Sequence, residues 1–134
     1  MRLTHLADYA VVMMTAAVRR GDGARLTAAA LSEETGVPLP TAQKLMQALS
    51  RHGLLTGQRG AGGGYALARP GNAISLADVV EAVEGPIALT QCKGAEVASD
   101  CALDAHCRLK PHIGVVGQAV RGALAAVSLK ELAR

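Results

Sequence analysis

The sequence predicts a mainly α-helical chain carrying one small β-hairpin, and three observations carry that expectation. Apolar residues recur at spacings of three and four along several stretches, the periodicity of a helix with one buried face. Two short strand-like runs, 54–59 and 65–69, flank a cluster of glycines. The aromatic residues are Tyr9 and Tyr65 alone, so the core must be assembled from Leu, Val, Ile, Met and Ala, which suits close helix packing. With 134 residues the chain has the length of one domain plus an extension.

Leu6, Tyr9, Ala10, Met13, Met14 and Ala17 fall on one helical face and predict a long first helix ending near Arg19, where Gly21 and Gly23 stop it. Thr27 is the expected N-cap of a second helix, 28–34, closed by Gly36 at a position where left-handed backbone is cheapest. After a turn at 37–39, Pro40 suits the first turn of a third helix that ends at Gly53, with Ala42, Leu45, Met46 and Leu49 inside. Its outward face is then Thr41, Gln43, Lys44, Gln47, Ser50 and Arg51, side chains able to reach base edges or phosphates. Helix, tight turn and helix, followed by a hairpin with the tip Gly60 to Gly64, make a winged helix-turn-helix. In that wing Gly60, Gly62 and Gly63 allow close backbone approach to a groove, and Arg59 suits a narrow, electronegative minor groove.

Ser75 and Asp78 form an expected capping box for a fourth helix with Leu76, Val79, Val80 and Val83 inside and Gly85-Pro86 as its stop. From Thr90 to Cys107 no apolar period is sustained, and the stretch reads as a loop. Beyond Pro111, the series Ile113, Val116, Val120, Leu124 and Val127 predicts a helix of roughly 24 Å. A helix this apolar needs a partner, and its Ala and Gly positions permit two-fold pairing with a second copy as readily as folding back. Ser128, Leu129 and Leu132 suggest a last short helical turn. The expected organisation is a winged helix-turn-helix DNA-binding region over 1–75, and a ligand-binding loop with a long C-terminal dimerisation helix over 76–134, in one integrated fold.

The net charge of +3 is unevenly placed. Residues 1–75 carry eight basic side chains against four acidic ones, whereas 76–134 carry six against seven. A positive first half beside a near-neutral second half fits a polyanion partner for the first and another task for the second. No apolar run is long enough to span a membrane. Asp8 interrupts the first apolar run, against a signal peptide, and three cysteines give no paired disulfide framework, so a reducing cytoplasm is expected. The glycine cluster lacks the G-x-x-x-x-G-K-[ST] pattern of a phosphate loop. Two tyrosines cannot supply a stacking platform for single strands. No acid, base and nucleophile constellation points to an enzyme, and no small-molecule substrate is expected. Double-stranded DNA is the expected partner.

Cys92, Cys101 and Cys107 are the only cysteines, spaced C-x8-C-x5-C, with His106 and His112 beside them. Three thiols in one polar stretch read as a partial metal or iron-sulfur ligand set more than as a structural disulfide. A zinc site and a thiol-disulfide switch are the alternative uses of the same residues.

Met1-Arg2-Leu3-Thr4, Asp8-Tyr9-Ala10, Arg59-Gly60-x-Gly62-Gly63-Gly64-Tyr65, Asp78-Val79-Val80 and three late cysteines together resemble one family over essentially the full chain. It is the Rrf2 family of winged-helix regulators that includes IscR, NsrR and the Suf-operon regulators, the last being nearest by the stretches 84–90 and 107–112. The resemblance implies a cytoplasmic homodimer on an inverted-repeat operator, sensing iron-sulfur cluster status and controlling cluster-assembly genes. It also implies a 2Fe-2S or 4Fe-4S cluster on Cys92, Cys101 and Cys107. The histidine that IscR-like members place three residues after the last cysteine falls here on Lys110, a donor-only side chain while charged. Asp8 of the partner subunit matches the acidic ligand of NsrR-like members, with His106, His112 or an exogenous group as the alternatives. Arg59 is implied to enter the minor groove. Gln43 stands where IscR-like members carry Glu, which predicts preference for adenine over cytosine at that step. Thr41 is a secondary contact, and Lys44 is expected on a phosphate.

Overall fold

The computed structural model describes residues 4–58, 63–87, 108 and 110–134. The first helix, α1 (His5–Arg20), is started by Thr4, whose Oγ1 accepts the Ala7 N–H at 3.1 Å. Ala7, Ala10, Met13, Met14, Ala16 and Ala17 form its buried face. The small alanines let α4 (Leu76–Glu84) lie close against it, and the two helices make the spine of the molecule. Leu6, expected on that inner face, is 49% exposed. Ala7, one step of 100° further round, takes the contact instead, leaving Leu6 on the flank.

Helix α2 (Ala28–Thr35) begins as expected at Thr27, whose hydroxyl accepts the Ala30 N–H. It closes at Gly36, which adopts φ 84°, a conformation glycine enters without a Cβ penalty. Three side-chain bonds then define the turn: Ser32 Oγ donates to the Val37 carbonyl, Thr35 Oγ1 donates to the Leu31 carbonyl, and Thr35 Oγ1 accepts the Val37 N–H. Helix α3 (Leu39–Arg51) follows, with Pro in its first turn and Ala42, Leu45, Met46 and Leu49 buried. It stops two residues before Gly53, and Gly53 bonds back to the Ser50 carbonyl.

Strands β1 (Leu55–Gly57) and β2 (Tyr65–Leu67) pair antiparallel, with Leu55 opposite Leu67 and Gly57 opposite Tyr65. Each is shorter than its strand-like run, because only the base of the hairpin lies on the core, where Leu54, Leu55 and Ala66 are buried. A third segment joins from the other side through a bridge between Leu26 and Tyr65.

A 3-10 turn at Gly71–Ala73 leads into α4, whose capping box is complete: Ser75 Oγ accepts the Asp78 N–H at 3.1 Å and Asp78 Oδ2 accepts the Ser75 N–H at 2.9 Å. Helix α5 (Lys110–Ala125) packs on α4, with Ile113 buried, Gly117, Val120 and Leu124 half-buried, and an Arg121 to Glu81 ion pair at 2.8 Å. Val116, expected in this stripe, is 41% exposed. Among the described residues α4 is the main helix packed on α5, and Val116 sits beyond the edge of that contact.

The chain then folds back. The Leu76 N–H bonds to the Val127 carbonyl and the Leu129 N–H to the Ile74 carbonyl, ahead of the short α6 (Leu129–Leu132), which Ser128 and Glu131 cap reciprocally. Leu129 is fully buried in the same core as Met13, Leu26, Leu49 and Ile74. Residues from both sides of position 75 therefore share one core. Among the described residues no helix is long and apolar enough to cross a membrane.

Candidate nucleic-acid interface and cysteine stretch

Helix α3 is built to be held by one side and read by the other. Ala42, Leu45, Met46 and Leu49 are buried in the core and Leu39 at its start is 41% exposed, while Gln43, Lys44, Gln47 and Arg51 are exposed and Thr41 and Ser50 half-exposed. Neither α2 nor α3 carries an acidic residue in its first turn, and no side chain caps the start of α3. The positive end of the α3 dipole therefore faces outward without a built-in anion. Thr41, Gln43 and Lys44 occupy the first half of this helix.

The wing stands beside α3 because β1 follows it after a three-residue turn, with the Leu54 N–H bonded to the Leu49 carbonyl at 3.0 Å. Gly63 and Gly64 are the described end of the wing tip; Arg59, Gly60 and Gly62 lie outside the described residues. The Gly63 carbonyl accepts a 2.7 Å bond from Arg25 Nε, and the Gln58 N–H bonds to the Gly64 carbonyl at 2.8 Å. The sequence reading missed the tie from residues 25–26 to the wing. Its only signal was a two-residue gap between Ala24 and Thr27, too short for a strand pattern.

Arg69, two residues after β2, reaches the start of α4: its Nη1 donates to the Ala73 carbonyl at 3.1 Å and its Nη2 lies 3.6 Å from Asp78 Oδ2. At the other end of α4, Glu84 Oε1 accepts the Thr4 N–H at 3.0 Å. Helix α4 is thus tied to the wing at its start and to the beginning of α1 at its end.

Cys92, Cys101, Cys107 and His106 lie outside the described residues, as does the loop expected over 90–107. By sequence that stretch joins Ile87, three residues past Glu84, to the start of α5 at Lys110. Asp8 is exposed one turn into α1, beside the tilted His5 and Tyr9 rings, and His112 is exposed in the first turn of α5. Among the described residues no three His, Cys, Asp or Glu side chains converge.

Known proteins place this architecture. The family described as Rrf2, iron-dependent transcriptional regulator, matches residues 3–134. A putative HTH-type transcriptional regulator, ORF2, of Azotobacter vinelandii is 37% identical over 70% of this chain and 57% of its own length. The HTH-type transcriptional regulator IscR of Xenorhabdus nematophila is 31% identical over 100% of this chain and 80% of its own length. The chain thus spans a little over half of the first relative and four fifths of the second. Among solved structures, CymR, the global cysteine regulator of B. subtilis, superposes with a TM-score of 0.70 at 24% identity, covering 99% of this chain and 96% of that one. The IscR of T. potens superposes with a TM-score of 0.70 at 20% identity, covering 98% and 85%. A helix-turn-helix, a wing and a family match over nearly every residue agree that this chain belongs to the Rrf2 family of transcriptional regulators.

Proposed function

We propose that this regulator binds an inverted-repeat operator as a cytoplasmic homodimer, and that an iron-sulfur cluster on Cys92, Cys101 and Cys107 sets its affinity for genes of cluster assembly. The observation that carries the DNA half is the division of α3 into a buried apolar face and an exposed polar one. Gln43 and Thr41 are the base-reading side chains, Lys44 neutralises a phosphate, and Arg59 with Gly60, Gly62 and Gly63 enters the minor groove.

The homodimer rests on α5. Val115, Ala119, Gly122 and Ala126 recur at four, three and four on the side turned away from α4, and all are exposed. Val115 is 71% exposed, and a Cβ built on Gly114 or Gly122 would meet nothing within 4 Å. A second α5 packed there covers the apolar stripe and allows close backbone approach.

The donor set fits a cluster: three cysteines supply soft thiolates, and the exposed Asp8 of the partner subunit supplies a hard, displaceable fourth ligand. When bound, the cluster adds a group sensitive to oxidants, nitric oxide and iron supply. The chain's own part is mechanical. The cysteine stretch is joined covalently to α4 and α5, and α4 is tied to the wing through Arg69 and to α1 through Glu84. Ligand binding by that stretch bears directly on the elements that space the two recognition helices.

Anaerobic purification followed by visible absorption and iron and sulfide analysis, repeated on Cys101→Ala, tests the cluster. A brown protein whose colour and iron are lost in the variant supports it. A protein that stays colourless after reconstitution with iron and sulfide overturns it and leaves zinc or thiol oxidation as the use of these cysteines.

A further inference from the structure

The side chain of Arg25 lies along the wing. Its Nε donates to the Gly63 carbonyl at 2.7 Å, and a Cβ placed on Gly64 would sit 3.2 Å from that Nε and 3.3 Å from its Cγ. The next residue, Leu26, exchanges backbone bonds with Tyr65 at 2.6 and 2.7 Å. Residues 25 and 26 therefore hold the returning arm of the wing at two residues, Tyr65 by two backbone bonds and Gly63 by a bond from the Arg25 side chain, with Gly64 packed between them.

We propose that Arg25 is a positioning residue, which fixes the returning arm of the wing through its Nε and so sets where the wing meets DNA; this rests on the reading of the wing as a DNA contact. A basic, exposed side chain beside a DNA-binding wing has an obvious rival role, direct contact with a phosphate. Geometry separates the two. Glutamine places an amide nitrogen the same number of bonds from Cα as the arginine Nε, but carries no charge. Lysine keeps the charge and places a methylene at that position.

The test uses the full-length protein, with and without Arg25→Gln, Arg25→Lys and Arg59→Ala. The probe is a fluorescent duplex selected by the wild-type protein from random-sequence DNA, with binding measured by anisotropy across a range of KCl. Positioning predicts that R25Q binds within about twofold of wild type. It predicts that R25K binds roughly tenfold more weakly, with the salt dependence of both unchanged. In ¹⁵N spectra the Gly64 and Tyr65 amides shift in R25K and stay in place in R25Q. The proposal is overturned if R25K binds normally while R25Q weakens and its salt slope falls by about 0.9, the mark of a lost phosphate contact. It is equally overturned if both variants behave alike, whether weakened or unaffected. Wild-type binding by R59A sinks the wing reading itself. The amide shifts then still decide whether Arg25 holds the arm.

Discussion

Leu26 and Tyr65 exchange both backbone hydrogen bonds, the Leu26 N–H to the Tyr65 carbonyl at 2.6 Å and the Tyr65 N–H to the Leu26 carbonyl at 2.7 Å. That pair turns a two-stranded hairpin, marginal alone, into a three-segment sheet anchored between α1 and α2. Gly64 permits it: its φ is +111°, and a Cβ there would lie 2.9 Å from the Leu26 carbonyl oxygen. Gly64→Ala is expected to destabilise the protein by about 2 kcal/mol through backbone strain and displacement of the strap. Urea denaturation reads the loss, and an unchanged midpoint contradicts it.

A second close approach fixes the 3-10 turn at Gly71–Ala73 against α1. A Cβ on Gly71 would lie 2.7 Å from Val18 Cγ1, and a β-branched side chain yields little. Gly71→Ala should cost about 1–3 kcal/mol, and adding Val18→Ala should recover most of it. Thermal melts of the two single variants and the double variant measure the coupling; simple additivity would exclude the clash.

Stability and recognition should separate on α3. Met46→Ala removes a fully buried side chain and should cost about 2–5 kcal/mol. Gln43→Ala, on the exposed face, should change stability by less than about 0.5 kcal/mol. It should still lower discrimination at one operator base pair by about 1–3 kcal/mol. Gln43→Glu should move the preferred base at that step from adenine to cytosine, as read by selection from randomised duplexes.

Dimerisation through α5 predicts that Val115→Glu, in a position 71% exposed in one chain, leaves the melting of the monomer fold almost unchanged and yet halves the mass seen in sedimentation. A dimer that survives the charge places the interface elsewhere.

Much of this architecture is legible in the sequence because it depends on local signals. The Thr27 and Ser75 caps, Gly36, the inner face of α3 and the reciprocal Ser75 and Asp78 bonds all follow from residue type and spacing within a single element. Contacts between distant residues carry no such pattern. The Leu26 bridge, the Arg25 bond to Gly63 and the Glu84 bond to Thr4 join residues 38 to 80 apart and involve backbone atoms that every residue type possesses. Leu6 and Val116 show a limit of periodicity itself. Helical spacing identifies an apolar stripe, but only the width of the neighbouring helix decides which edge residues it covers. Of the expected site, Thr41, Gln43 and Lys44 are brought together on α3 and Gly63 lies in the wing. Cys92, Cys101, Cys107, Arg59, Gly60 and Gly62 rest on the sequence and the family resemblance.

Control of DNA affinity by the cysteines is measured by anaerobic titration of one selected operator duplex. The titrant is wild-type protein before and after chelator removal of its iron, alongside Cys92→Ala and Cys101→Ala. If the cysteines govern affinity, chelated protein and both variants agree with one another and differ from the iron-loaded wild type by at least about tenfold in Kd, a coupling of about 1.4 kcal/mol. Equal affinity in all four samples would contradict it.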